Sequence, residues 1–301
     1  MALDFAAVVH VNVNCSGLER SLAFYRDALG LAPLSHTNPV PQDGAGFGLA
    51  GRVQWDAWII HDDRGQAAQG IDLLEWKQPA PTGRPARANE LGLARVLLCA
   101  RSASALHARL GAAPALAAPG LLGGARFGFL ARDPDGALLE LADDATGGAT
   151  PRFAGVAINV ASLAASTAWY ERLLGMRANA SAVCSAPGAA FALAGEARWR
   201  EVTFAATASF AIRLVEWEQP RAVRAAPRAA NALGLYRMAL LVDDAGRACA
   251  QLDSLGIAHS GSVWLDMGPD IPIDGLHAGF FPDPDGACLE WIERPHVRGA
   301  A

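Results

Sequence analysis

Phe127–Asp144, FGFLARDPDGALLELADD, predicts a strand, a tight turn and a second strand. Asp133-Pro134-Asp135-Gly136 is turn chemistry, because Pro presets φ, Gly tolerates the turn backbone and Asp bonds nearby amides. The second strand is apolar except for Glu140, and a buried carboxylate is costly unless a partner or cation compensates it. The same phrase returns at Gly279–Glu293, GFFPDPDGACLEWIE, with Glu290 in the matching place. Each hairpin therefore carries a glutamate, Glu140 or Glu290, at the same position of its second strand.

These hairpins close a longer internal repeat of about half the chain. The other matching pairs are Val8–Leu31 with Gly155–Met176, Asp72–Pro79 (DLLEWKQP) with Arg213–Pro220 (RLVEWEQP), and Asn89–Leu97 (NELGLARVL) with Asn231–Ala239 (NALGLYRMA). The polar stretch Asp143–Arg152, DDATGGATPR, is typical of a linker. The repeat predicts two domains, residues 1–146 and 151–301.

Each repeat divides again into two similar units. Residues 8–15 alternate like a strand, and a helix follows from Ser16 or Gly17 to Gly30. Strands are expected near 33–37, 53–61 and 70–76, and from Gly92 the order restarts with a strand at 93–100 and a helix at 104–110. The prediction is an α+β fold of four βαβββ modules, paired into two half-open barrel domains.

Composition narrows the class of protein. The 301 residues are 52% hydrophobic and 18% charged, which predicts a sizeable core rather than disorder. A net charge of -5 without a dense basic patch argues against nucleic acid as a partner. No apolar run is long enough for a membrane span, and five cysteines without a CxxC pair favour a reducing, cytoplasmic setting.

The order of LERSLAFYRDALGL, LLEW, NELGLARVLL and RDPDGALLEL resembles the vicinal oxygen chelate superfamily. This superfamily includes glyoxalase I, bleomycin-resistance proteins and extradiol dioxygenases. The resemblance implies that two βαβββ modules form a half-open barrel around a cavity. It also implies a metal position on side chains from the first and last strands of the two modules.

Carried over residue by residue, the resemblance assigns four positions to each domain. In the first domain they are His10, Glu75, Arg95 and Glu140, which we interpret as the catalytic set. In the second domain they are Gly155, Glu216, Arg237 and Glu290. Arginine cannot ligate a metal, because it stays protonated and has no lone pair to donate. We therefore expect Arg95 to bridge Glu75 and Glu140, and Arg237 to bridge Glu216 and Glu290, in place of a metal.

Two other interpretations of these positions remain open. His10, Glu75 and Glu140 supply three ligand atoms, enough for Fe, Mn, Zn or Ni in the first domain. Alternatively, the glutamates and arginines form ion pairs that only hold the modules together.

Further side chains are candidates for lining a cavity and binding a substrate. Trp58 is aromatic, while His61 and His277 are candidates for acid or base chemistry. The Pro- and Gly-rich stretches 39–48 and 267–276 resemble loops that cap a pocket. The complete set of predicted substrate-binding residues is Trp58, His61, His277, Arg237, Glu216 and Glu290.

Three classes of function follow. The first is a metal-independent lyase, isomerase or cyclase with Glu–Arg acid/base chemistry and no cofactor. The second is a metal-dependent dioxygenase or glyoxalase-type enzyme. The third is a non-catalytic protein that sequesters a small molecule, as in the bleomycin-resistance branch. In each case the partner is a small organic molecule, and the protein is expected to be a monomer or a homodimer.

Overall fold

The computed structural model describes residues 2–111, 113–145, 147–207 and 209–295. These residues form two mixed sheets, each curled into a half-open barrel, and the predicted α+β fold of four βαβββ modules is confirmed. None of the helices in these ranges has both the length and the apolar character that crossing a membrane requires.

The first repeat contains modules 1 and 2. Module 1 consists of β1 (Ala7–Cys15), α1 (Leu18–Ala23), β2 (Ala32–Thr37), β3 (Gln42–Asp43), β4 (Arg52–His61) and β5 (Gly70–Gln78). Module 2 consists of β6 (Gly92–Ala100), α2 (Ala103–Leu110), β7 (Gly120–Leu121), β8 (Phe127–Arg132) and β9 (Leu138–Asp143).

The second repeat contains modules 3 and 4. Module 3 consists of β10 (Arg152–Asn159), α3 (Leu163–Leu174), β11 (Ala182–Pro187), β12 (Glu196–Thr207) and β13 (Phe210–Gln219). Module 4 consists of β14 (Gly234–Val242), α4 (Ala245–Ser254), β15 (Val263–Asp266), β16 (Gly275–Pro282) and β17 (Cys288–Glu293).

The helices begin and end where local chemistry favours it. Ser102 and Ser162 precede α2 and α3, and each hydroxyl accepts a hydrogen bond from a backbone N–H in the first helical turn. Helix α1 is continued by a π-helical turn at Phe24–Ala28. Gly30 follows with a φ of 77°, a left-handed conformation that glycine adopts without strain.

The modules pair across the two repeats rather than within them. Sheet I has the order β15-β16-β17-β14-β1-β5-β4-β2, with β3 on β4, so it combines modules 1 and 4. Sheet II has the order β11-β12-β13-β10-β6-β9-β8-β7, so it combines modules 2 and 3. Antiparallel β1–β14 and β10–β6 pairs join the modules.

The two sheets therefore do not follow the expected division into residues 1–146 and 151–301. A barrel closed within the first repeat would pair β1 with β6, but the backbone groups of β1 are used by β14 on one side and β5 on the other. A strand has only two edges for hydrogen bonding, so this arrangement excludes the expected one.

Two buried asparagines fix the pairing at matching places. Asn14 on β1 donates to the carbonyls of Ala230 and Ala232 at 2.7 and 2.8 Å, in the segment that leads into β14. Its side-chain oxygen accepts a hydrogen bond from the Trp76 indole at 3.1 Å. Asn159 on β10 repeats these contacts, donating to the carbonyls of Ala88 and Glu90 before β6 and accepting from Trp217.

The DPDG turns connect consecutive modules instead. Asp133 accepts hydrogen bonds from the backbone N–H groups of Asp135 and Ala137, and from the Tyr25 hydroxyl at 3.1 Å. Asp283 makes the same contacts in module 4, with Tyr170 of module 3 as the hydroxyl donor. One hydrophobic core cluster contains side chains from all four modules, so it joins the two sheets.

Replacing Asn14 with alanine should lower the free energy of unfolding by about 3 kcal/mol, because buried carbonyl and indole N–H groups without partners cost about 1–3 kcal/mol each. Urea denaturation measures the change. Asn179→Ala is the control, since it removes an exposed hydrogen bond to the Thr203 N–H and should cost about 1 kcal/mol or less. Equal stability of the Asn14 variant and the parent would contradict the assigned pairing.

Candidate functional site: the cavity of sheet I

Sheet I encloses a cavity of about 180 Å³ between modules 1 and 4. Its walls are mostly apolar and come from both modules. They include Trp55 and Ile59 on β4, Leu265 and Leu276 beside the β15–β16 loop, and Ile292 on β17. This volume is smaller than the roughly 300–1,000 Å³ of pockets that bind drug-sized ligands.

Four polar side chains lie together on one side of this cavity, and we call them the polar floor: His10 of β1, Asp72 of β5, Arg237 of β14 and Glu290 of β17. Arg237 donates to Glu290 through Nε and to Asp72 through Nη2, both at 2.8 Å. His10 Nε2 lies 3.6 Å from Glu290 and 3.9 Å from Asp72. Each of the four is at most 9% exposed.

The charged side chains of the polar floor shift one another's pKa values. Burial alone would raise the pKa of Glu290, but Arg237 and His10 hold it below its usual value. Burial also opposes the charge of Arg237, yet Glu290 and Asp72 raise its pKa above the ordinary arginine value. Glu290 and Arg237 are therefore both charged at neutral pH.

Two donor or acceptor atoms of the floor are left over. Arg237 Nη1 and His10 Nε2 are buried and have no hydrogen-bond partner among the described residues. Buried polar atoms normally find partners, so these two indicate where a ligand oxygen or hydrogen would bind. The leftover atoms belong to one cation and one imidazole, side by side in an apolar cavity.

The matching position in sheet II holds a different group, which we call the buried ion cluster: Arg95, Arg126, Glu140, Glu201 and Arg213. Glu140 accepts hydrogen bonds from Arg95 at 3.1 Å and Arg213 at 2.7 Å, and pairs with Arg126 at 3.2 Å. Burial opposes ionisation, but the three arginines lower the pKa of Glu140 to about 2. Glu140 is therefore ionised at neutral pH.

The interior of sheet II around this cluster is filled by aromatic side chains. Trp199, Trp217 and Phe191 pack against one another with ring centroids 5.3 Å apart. The Arg95 guanidinium lies 5.6 Å from the centre of the Phe191 ring. Gly155 replaces His10 here, and a Cβ atom at Gly155 would lie 2.1 Å from the Ala211 carbonyl oxygen. The buried ion cluster is therefore surrounded by packed side chains, whereas the polar floor borders a cavity.

Glu75 and Glu216 lie elsewhere, so the expected bridges from Arg95 and Arg237 to them are wrong. Glu75 accepts a hydrogen bond from the Leu18 N–H at 2.8 Å, and Glu216 accepts one from the Leu163 N–H at 2.8 Å. Each carboxylate thus binds the first residue of its module's helix, where N–H groups lack helical partners. Asp143 and Glu293 bind the first residues of α2 and α4 in the same way.

The metal site predicted from His10, Glu75 and Glu140 is also not assembled. His10 belongs to the polar floor, Glu75 to the start of α1 and Glu140 to the buried ion cluster. Within the described ranges, no group of three or more His, Cys, Asp or Glu side chains has the arrangement to hold a metal ion.

Of the six predicted substrate-binding residues, Arg237 and Glu290 line the cavity, and the other four, Trp58, His61, Glu216 and His277, do not. Trp58 stacks on His36 at 4.6 Å, and His277 bonds Ser262 at 3.0 Å beside Trp264. His61 is buried at the end of β4, where burial lowers its pKa.

Asp72 is the residue of the polar floor that the sequence analysis did not select, although the sequence contains a pattern that indicates it. The repeats DLLEW and RLVEW both begin with a charged residue in an otherwise apolar strand, Asp72 in one and Arg213 in the other. Strand alternation puts Asp72 and Glu75 on opposite faces. Since Asn12 on β1 bonds Asp72 at 3.0 Å, Asp72 shares the face of the first-strand ligand position.

Two half-open barrels of paired βαβββ modules, each with charged side chains at its centre, define a class of proteins. Residues 152–291 match the family model described as Glyoxalase/Bleomycin resistance protein/Dioxygenase superfamily. The matched residues span the second repeat, and the family model describes the same superfamily that the motifs of the sequence resemble.

Solved structures share the fold over the full length. Glyoxalase I from Zea mays is 15% identical with a TM-score of 0.64, and the match covers 95% of this chain and 92% of that chain. A putative dioxygenase from Bacillus subtilis is 12% identical with a TM-score of 0.57, covering 98% and 87%. No curated protein sequence matches the chain. At these identities the structural likeness establishes the fold and not the reaction.

The depressed pKa of Glu140 predicts a defined loss of stability in acid. Its stabilising contribution is present above its ordinary pKa of 4.5 and is lost as the pH falls toward about 2. Between pH 5 and pH 2, the free energy of unfolding of the Glu140→Gln variant should therefore fall by about 3 kcal/mol less than that of the parent. This value follows from the pKa shift at about 1.36 kcal/mol per pKa unit. Urea unfolding at several pH values tests this. Glu171→Gln, which alters an exposed ion pair with Arg177, should follow the parent curve.

Proposed function

We propose that the protein is a metal-independent enzyme that moves a proton on a small neutral carbonyl compound bound in the cavity of sheet I. The observation that carries the proposal is the pair of buried, unpartnered atoms, Arg237 Nη1 and His10 Nε2, beside an apolar space of about 180 Å³. This keeps the lyase or isomerase class predicted from the sequence and moves the chemistry to the polar floor.

The charge of the floor selects the kind of substrate. Asp72 and Glu290 place two carboxylates around the single guanidinium of Arg237, so the acidic groups of the floor outnumber its arginine. A carboxylate or phosphate would enter against this excess of acidic groups in a poorly solvated cavity, which is unfavourable. A neutral ketone or aldehyde enters without that penalty, and its carbonyl oxygen can accept a hydrogen bond from the unpartnered Nη1–H of Arg237.

The same residues suit proton abstraction next to the carbonyl. His10 Nε2 takes the proton, and the carboxylates of Asp72 and Glu290, within 4 Å, stabilise the resulting imidazolium. The electrons of the broken C–H bond move onto the carbonyl oxygen, where Arg237 stabilises the developing negative charge. Returning the proton to a different carbon gives an isomerase, and expelling a group from the neighbouring carbon gives a lyase.

The floor does not fit a divalent metal. A metal on His10, Asp72 and Glu290 would need their lone pairs, but Arg237 already bonds both carboxylates at 2.8 Å. Its guanidinium is a permanent cation, so a metal at this position would meet direct repulsion. We therefore assign to Arg237 the charge-stabilising role that a metal ion would otherwise have.

A protein that binds the compound without changing it remains the second candidate. The mostly apolar walls of the cavity favour it, since apolar lining gives affinity for a small molecule without any chemistry. The position of His10 favours the enzyme over the binding protein, because binding alone does not require a base in contact with the bound molecule.

Acetophenone in D₂O tests the reaction, with deuterium entering the methyl group next to the carbonyl as the readout by proton NMR. We expect the protein to accelerate this exchange and His10→Gln to reduce it by about 100-fold or more, the usual contribution of a general base. Benzoate has a similar size but a negative charge, and it should bind about 10-fold more weakly or worse, given the excess of acidic groups on the floor.

His61→Gln is the matched control, because His61 is also a buried strand histidine but lies outside the cavity lining. It should retain the exchange activity. Binding of acetophenone without any exchange would favour the sequestering candidate, and equal exchange by the parent and His10→Gln would exclude His10 as the base.

Replacing Arg237 with histidine should create a site for Zn²⁺ or Ni²⁺ that the parent lacks. The change removes the cation that occupies both carboxylates and adds an imidazole to His10, Asp72 and Glu290, giving four possible N and O ligands. Isothermal titration of chelator-treated protein measures the affinity. Stoichiometric metal binding by the parent with the same affinity would refute the role given to Arg237.

Arg95→His provides the comparison in sheet II. There Glu140 keeps Arg126 and Arg213 as partners, and Gly155 supplies no imidazole. Two cations therefore remain beside the carboxylate, and no gain in metal affinity is expected.

A further inference from the structure

The loop that connects β15 to β16, residues 267–274, forms one wall of the cavity. Met267, Ile271 and Ile273 line the space above the polar floor. The loop belongs to module 4, but it lies across the edge strand β2 of module 1, whose residues Ser35 and Thr37 also line the cavity. We call this segment the cavity loop.

The base of the cavity loop is held firmly. Gln42 bonds both backbone groups of Asp266, accepting from its N–H and donating to its carbonyl at 3.1 Å. Gly268 has a φ of 81°, and a Cβ atom there would lie 2.6 Å from the carbonyl oxygen of Asn38. The start of the loop is therefore packed directly on module 1.

The tip of the loop contacts His36 on the outer face of β2 through the side chain of Asp270. Asp270 lies 2.8 Å from Nδ1 of His36, while Nε2 of the same ring lies 2.7 Å from Asp56. Trp58 stacks on the ring at 4.6 Å with an interplanar angle of 15° and fixes its orientation. His36 thus connects the tip to strand β4, and the side chain of Asp270 is 44% exposed, so water can compete for this contact.

We infer that the Asp270–His36 pair is the latch of a lid, with the cavity loop as the lid that admits ligands to the cavity of sheet I. The apolar side chains of the loop then act as specificity-determining residues, since they close over the part of the ligand farthest from Arg237. This inference rests on the cavity being the binding site of the proposed function, but not on the reaction proposed for it.

The physical basis is a difference between the two ends of the loop. The base is fixed by backbone packing and paired hydrogen bonds, whereas the contact of the tip is the partly exposed Asp270–His36 pair. Exposed pairs of this kind contribute little stability. Such a pair breaks and reforms readily, and loop movements of this kind occur in nanoseconds to milliseconds. Opening at the tip moves Ile271 and Ile273 away from the cavity and leaves the polar floor in place.

Fluorobenzene is a suitable probe, because apolar cavities of about 150 Å³ bind benzene. Line shapes in ¹⁹F NMR give its association and dissociation rates. We expect Asp270→Asn to raise both rates by about 10-fold while the Kd changes less than about 3-fold, since a latch that holds the free and bound states equally alters only the rates. Asp270→Glu should restore slower exchange.

Asp243→Asn is the control, because it removes a similarly exposed ion pair, with Arg294, away from the cavity. It should leave both rates unchanged. A folded Asp270→Asn variant with the exchange rates of the parent would overturn the latch. Failure of the parent to bind fluorobenzene would overturn the lid together with the cavity. Loss of the proposed proton transfer leaves this experiment unaffected, because fluorobenzene carries no carbonyl.

Discussion

Hydrogen bonding between the first strands of different modules is the constraint on which the rest of the structure depends. β1 pairs with β14 and β10 pairs with β6, and the buried Asn14 and Asn159 hold the segments that lead into their partners. Because each first strand is then occupied on both edges, modules 1 and 4 must share one barrel and modules 2 and 3 the other. His10 and Glu290, near opposite ends of the chain, become neighbours in this way.

Both barrels contain a buried arginine–glutamate pair at the same position, but the surroundings of the two pairs differ. Arg95 with Glu140 and Arg237 with Glu290 have matching contacts, but the neighbouring charged position is Arg213 in sheet II and Asp72 in sheet I. The extra cation is balanced by Glu201 in a cluster surrounded by Trp199 and Phe191. Arg95 and Arg237 each have one nitrogen without a hydrogen-bond partner, but only Arg237, together with His10, lines the cavity of sheet I. One difference of charge therefore accompanies the division into a packed interior and a candidate site.

Glutamates that look alike in the sequence have unrelated roles for a geometric reason. Glu75 and Glu216 project toward the helix face of their strands and bind the first N–H of α1 and α3. Glu140 and Glu290 project toward the barrel interior and bind arginine. Neighbouring residues of a strand project to opposite faces of the sheet, so a shift of one residue in register exchanges the two faces. A matching motif therefore does not tell which of the two roles a glutamate has unless the register of its strand is known.

The sequence by itself determined the number and kind of modules, the internal repeat, the DPDG hairpins and the resemblance to the superfamily whose model matches residues 152–291. These features depend on local patterns such as alternation, turn residues and spacing, which a single chain displays directly. It also predicted His10, Arg237 and Glu290 as candidate site residues. Only the tertiary structure decided that they meet one another and Asp72, that Glu75 is a helix cap, and that sheet II is filled. Which edges pair depends on the free energy of the whole assembly, because long-range strand pairing leaves no local signal in the chain.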